Sequence, residues 1–135
     1  MTTSEDSLLL YAPVPIYRDD DGGYLLEDQA CNGLRLWAEN FDKVIVMHPL
    51  EHGTPPPSWV SVRASGVNLN RVELVALPTA YRPDRFFMHY RGVRQQISQL
   101  IDRARYMSFS IGGLFGDWGS VAAFEAHRKG RPFAV

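Results

Sequence analysis

Apolar positions in this chain change their spacing from segment to segment. Leu8-Leu9-Leu10-Tyr11-Ala12 is an unbroken apolar run, the pattern of a strand buried on both faces. Pro13 and Pro15 end it, and a polar loop follows, Arg18-Asp19-Asp20-Asp21-Gly22-Gly23. Leu26, Ala30, Gly33/Leu34, Trp37 and Phe41 then recur at spacings of three and four, which predicts an amphipathic helix with those residues inward. Glu27 and Asp28 fall in its first turn, where carboxylates suit the positive end of the helix dipole. Lys43-Val44-Ile45-Val46-Met47 reads as a second buried strand. Residues 49–58, with Gly53 and three consecutive prolines, read as loop rather than helix or central strand. Residues 59–62 suit a short extra strand.

Residues 71–77 form a third apolar strand closed by Pro78. A second amphipathic helix is expected over 84–104, with Tyr90, Val93, Ile97, Leu100/Ile101 and Ala104 inward. Residues 106–111 make a fourth strand, and a glycine-rich turn occupies 112–116. A third helix starts at Asp117, a good N-cap, and closes at His127-Arg128-Lys129-Gly130, with cations and then glycine at its negative end. Pro132-Phe133-Ala134-Val135 opens a fifth strand. Strands alternating with helices call for a mostly parallel sheet covered on both faces. With right-handed crossovers, the expected fold is α/β, a Rossmann-like three-layer α/β/α domain with five or more strands. Residues 1–135 read as one domain. The chain stops inside an apolar strand, as expected of one half of a longer two-domain protein.

Composition narrows the function. Hydrophobic residues make up 45% and charged residues 21%, ordinary values for a globular domain. A net charge of -1 argues against a nucleic-acid partner, because such a binder needs a basic excess to release counterions. The single cysteine, Cys31, allows neither an internal disulfide nor a cysteine-based zinc site, and reads as a small core residue. No apolar run approaches the roughly 20 residues of a membrane span, and the N-terminus lacks the basic start of a signal peptide, so a cytoplasmic place is expected.

Two loops carry the candidate chemistry. Gly22 and Gly23, placed just before a predicted helix, would let an anion approach backbone N–H groups at the helix N-terminus. The alternative is an ordinary turn. Ser110, Gly112, Gly113 and Asp117 lie beyond the carboxyl end of the fourth strand, where open α/β sheets place ligands. His48 ends the second strand and is a candidate cleft contact, with loop packing as its alternative. His48 and His52 are four apart, but Pro49 and Gly53 exclude the helix that would align them on a metal, so no metal site is expected. No catalytic residue is assigned, since no Ser–His–Asp arrangement can be placed by spacing. Residues 81–91 mix arginines with aromatics, which suits either peripheral contact with a membrane or a helix start that packs Phe86, Phe87 and Tyr90 inward and leaves its arginines solvated.

Gly22-Gly23 before an amphipathic helix and then Lys43-Val44-Ile45-Val46 resembles the opening of retaining GT-B glycosyltransferases of the family 4 kind. Ala104-Arg105-Tyr106-Met107-Ser108-Phe109-Ser110, a glycine-rich loop, a helix and the Gly130-x-Pro132 strand resemble the later part of the same N-terminal half. The resemblance implies an acceptor-binding domain, with a saccharide or lipid-linked saccharide as acceptor. The nucleotide-sugar donor would be held mainly by a C-terminal domain that this sequence does not contain. No cofactor is implied, and this half alone would be inactive. Many family members carry a histidine where this chain has Ser110, so no histidine role carries over.

The rival from another class is a non-catalytic, flavodoxin-like partner-binding module. Its receiver-like version fails, because the third strand ends Ala76-Leu77-Pro78 without a phosphorylatable aspartate. A dehydrogenase half lacks glycines after the first strand, where Pro13-Val14-Pro15 stands instead.

Overall fold

A computed structural model describes residues 6–79, 83–111 and 117–135. Four parallel strands form its centre: β1 (Ser7–Tyr11), β4 (Lys43–Glu51), β6 (Val72–Pro78) and β7 (Tyr106–Phe109). Their spatial order is β6-β4-β1-β7, and Ala134 extends it by a parallel bridge to Ser108. Counted along the chain, this is third-second-first-fourth-fifth, the dinucleotide-fold order. A flavodoxin-like sheet would instead place its first strand between the second and third. The expected Rossmann-like α/β class is what the chain forms.

Strand pleat explains why both faces need cover. Leu9, Tyr11, Ile45, Met47, Val75, Leu77, Met107 and Phe109 enter one buried cluster, while Leu8, Leu10, Val44, Val46 and Val72 enter another. Helices α2 (Pro83–Arg103) and α3 (Trp118–Arg128) cover the first face with Val93, Ile97, Ile101, Trp118 and Ala122. Helix α1 (Asp28–Asn40) covers the second with Cys31, Leu34 and Ala38. Cys31 is buried, and burial pushes its thiol pKa up, as befits a small core residue.

The second face also receives a small antiparallel annex, of which the sequence showed only the short strand at residues 59–62. Strands β2 (Ile16–Arg18), β3 (Tyr24–Glu27) and β5 (Trp59–Ser61) pair in the order β2-β3-β5, and β2 joins the end of β4. Ile16, Leu26 and Val62 bury themselves in the same cluster as Val44 and Val46. No helix crosses from β4 to β6; residues 52–71 supply β5 and turns instead. Leu26 is therefore a strand residue and not the first turn of α1. The buried stripe of α1 is Cys31, Leu34 and Ala38, with Trp37 exposed on the flank. Trp37, Phe41 and Tyr106 instead form a chain of ring contacts.

Strand β4 runs through Pro49 to Glu51, four residues past its predicted end. Val44 N–H donates to Arg71 across the β6 side, while Met47 C=O accepts from Ala12 on the β1 side. Odd-numbered residues of β4 thus turn their backbone groups toward β1. The missing N–H of Pro49 falls opposite the interruption between Tyr11 and Ile16, where the ladder has no partner to lose.

Candidate functional site

The sheet reverses its winding between β1 and β7. From β1 the chain crosses to β4 on the α1 face; from β6 it crosses to β7 on the α2 face. The carboxyl ends of these two strands are the topological switch point, where such sheets place the crevice that takes a ligand.

Helix α3 begins at this point and sits unusually close to the strands. A Cβ built on Gly119 would lie 1.9 Å from the Ser110 carbonyl oxygen and 2.9 Å from the Tyr11 ring. Only glycine permits that approach. Ser110 N–H also donates to Tyr11 C=O at 3.2 Å, so β1, β7 and the first turn of α3 are joined at one spot. Trp118 anchors the turn: it is fully buried, its Nε1–H donates to Pro78 C=O at 2.7 Å, and its ring stacks on Phe86 at 4.9 Å.

Asp117 caps α3 as its side-chain chemistry predicts. Its carboxylate accepts from Gly119 N–H at 3.1 Å and from Ser120 Oγ at 2.6 Å. The first-turn donors therefore face a carboxylate belonging to the protein. A phosphate placed there would meet that negative charge before it met the N–H groups. Ser110 is exposed at the same edge. Gly112 and Gly113 lie outside the described residues.

Gly22 and Gly23 occupy a different place. The helix expected directly after them is preceded by β3, and the two glycines close the β2–β3 hairpin instead. Gly22 has a φ of 88°, which a turn with Gly22 N–H bonded to Asp19 C=O requires. Gly23 N–H donates to the Asp21 carboxylate at 3.0 Å, and Arg63 pairs with Asp21 at 3.1 Å. The N-terminal donors of α1 go to Glu27, whose carboxylate accepts from Gln29 and Ala30. The premise of a glycine loop opening onto a helix N-terminus does not hold. Gly23 lines a cavity of about 300 Å³ together with Lys43 and Val72, the amino-terminal residues of β4 and β6. The Ser110–Asp117 edge lies at the other end of the strands. Gly22 and Gly23 thus do not share a cleft with Ser110 and Asp117.

His48 lies at the carboxyl half of β4 but on the α1 face, in line with Val44 and Val46. It is 1% exposed, beneath the 12–15 segment, and its Nδ1 lies 2.8 Å from Val14 C=O. That carbonyl can only accept, so Nδ1 carries the proton and Nε2 is a bare acceptor. Nε2 has no partner among the described residues. Burial drives the imidazole pKa down to about 4, against the bond to Val14, which raises it. The ring is neutral at pH 7. Among the site candidates, Ser110 and Asp117 come together, and Gly22, Gly23 and His48 stand apart from them. Tyr11 and Gly119 were missed. A glycine inside the first turn of a helix costs about 1 kcal/mol in propensity, which was the available sign of a packing role.

No protein-family model matches the chain, and neither does any curated protein. Among solved structures, a UGT transferase from Siraitia grosvenorii in complex with UDP is similar, with 14% identity and a TM-score of 0.49. The similarity covers 94% of this chain and 27% of that one. The chain thus spans about a quarter of the length of the structure it resembles. No helix among the described residues is long and apolar enough to cross a membrane.

Proposed function

We propose that this chain is the acceptor-side domain of a nucleotide-sugar-dependent glycosyltransferase of the GT-B, family 4 kind, acting in polysaccharide or glycoconjugate synthesis. The observation that carries this reading is the carboxylate of Asp117 at the crevice, on the helix terminus where a nucleotide-binding half would need open N–H donors. A carboxylate there disfavours a diphosphate and suits the hydroxyls of a neutral sugar, for which Ser110 offers a second polar contact. The domain's task is positional, holding an acceptor while a second domain holds the nucleotide-sugar donor and stabilises the departing diphosphate. The saccharide or lipid-linked acceptor is delivered near a membrane surface in this reading. Phe87 and Met88 are exposed on α2, flanked by Arg85 and Arg91. His48 serves the crevice indirectly, holding the 12–15 segment by its bond to Val14.

Saturation-transfer NMR on the chain tests this, with a panel of simple hexosides against uridine diphosphate. Saturation of hexoside protons, weakened in Asp117→Ala and absent for the nucleotide, is the expected outcome. Strong nucleotide binding with no response from any hexoside would overturn the reading.

A further inference from the structure

Helices α2 and α3 enclose a groove of about 420 Å³ on the outer side of their layer, away from the crevice. Glu125 belongs to its lining and is almost completely buried, which an isolated carboxylate would not tolerate. Two guanidiniums hold it ionised. Arg94 Nε–H donates to it at 2.9 Å, and Arg128 donates both through Nε–H, at 3.2 Å, and through a terminal nitrogen. These bonds outweigh the desolvation and lower the carboxyl pKa to about 2.

One carboxylate does not balance this cluster. Arg91, one turn before Arg94, also lines the groove and has no ion pair among the described residues. Three guanidiniums and one carboxylate line the groove, a local excess of two positive charges. Each guanidinium carries five N–H donors in a rigid fork, and Glu125 engages only a few of those of Arg94 and Arg128. Glu125 therefore acts as an internal clamp that fixes two forks in place. Side-chain amides of Gln95 and Gln99 extend the polar wall. Lys129 stands behind it, bonded to the Ser98 hydroxyl at 2.9 Å and paired with Asp102.

We infer that the α2–α3 groove is an oxyanion site that takes a phosphate monoester group, bound by Arg91, Arg94 and Arg128. A dianion matches the excess charge, guanidinium forks match its tetrahedral oxygens, and the volume admits a phosphate with a small attached body. The site is independent of the crevice and does not rest on the acceptor reading. The phosphate could belong to a soluble ester or to a lipid headgroup.

Titration with inorganic phosphate, followed through the arginine Nε–Hε resonances, tests the site. Vesicles of phosphatidylcholine with and without phosphatidic acid form a second arm. Saturable shifts at Arg91, Arg94 and Arg128 are expected. Arg91→Gln should weaken phosphate at least about fivefold, and Arg91→Lys less, because charge without the fork is retained. Glu125→Gln removes the competing charge and should tighten binding several-fold. Arg35→Gln, an exposed arginine on α1 across the sheet from the groove, should leave it unchanged. Binding to phosphatidic acid vesicles well beyond that to free phosphate assigns the headgroup source; equal or weaker binding assigns the soluble one. Absence of saturable shifts, or an Arg91→Gln chain that binds as the parent does, would overturn the proposal. If Glu125→Gln does not fold, the Arg91 pair decides alone.

Discussion

Replacing Gly119 by alanine adds one methyl group where the backbone leaves no room for it. The new Cβ would sit 1.9 Å from the Ser110 carbonyl oxygen, and carbon–oxygen contacts ordinarily begin at about 3.3 Å. Helix and strand must therefore part by roughly 1.4 Å at a junction where both contacting groups are backbone or a buried ring. Overpacking a core typically costs about 1–3 kcal/mol. Here neither Ser110 C=O nor the Tyr11 ring can swing aside, so the upper end, about 3 kcal/mol, is expected. For a domain of this size that lowers Tm by roughly 10–15 °C. The same substitution at Gly92 or Gly33 is the internal control. Both lie inside helices with nothing within 4 Å of the added carbon, and each should gain about 0.5–1 kcal/mol from helix propensity alone. Thermal unfolding followed by circular dichroism reads all three. A Gly119→Ala chain within 2–3 °C of the parent, roughly the resolution of 1 kcal/mol, would refute the close approach of α3 to the sheet.

Two further outcomes follow from buried titratable groups. The His48 pKa lies at about 4 in the fold against 6.5 when free, so between those values the unfolded chain binds the extra proton. Stability should be level above pH 6.5 and fall by about 3 kcal/mol as pH drops toward 4. Urea titrations at several pH values should show that slope flattened in His48→Gln; an unchanged slope would contradict the buried neutral ring. At Glu125, Arg94→Met with Arg128→Met strands a buried carboxylate and should cost roughly 3–5 kcal/mol, whereas Glu125→Leu should stay within about 1 kcal/mol of the parent. Equal losses in the two variants would show that Glu125 is not held by those arginines.

The central sheet was legible because its strands are apolar on both faces, and only parallel strands between helix layers need that. Leu8–Ala12, residues 43–47 and residues 71–77 carry the signal directly. The annex was legible only at residues 59–62, the expected short extra strand. Ile16–Arg18 and Tyr24–Glu27 are too short to show a period, and Leu26 fits a helical stripe as well as a strand. That ambiguity moved the start of α1 back by two residues, which put Gly22-Gly23 at a helix terminus they do not occupy. Pro49 misled for a related reason: it breaks a ladder only where a partner N–H is needed, and the gap between β1 and β2 is invisible in sequence. Phe87, inward in one of the two readings of residues 81–91, is 69% exposed because the buried side of the first turns is taken by Phe86 and Tyr90 against Trp118. Asp117 was readable because an N-cap is a local device. Gly119 and Tyr11 were not singled out, since their role exists only where two distant strands and a helix meet.

In the proposed function the β1–β7 crevice is the ligand site and a sugar is its ligand. Amide shift mapping on isotopically labelled protein, titrated with whichever hexoside gives saturation transfer, tests it most directly. Shifts should cluster at Tyr11, Ser110 and Asp117 through Ser120, and Asp117→Ala should diminish them while leaving the rest of the spectrum in place. Shifts confined to the Gly22–Gly23 hairpin or to the α2–α3 groove, with the crevice silent, would contradict it.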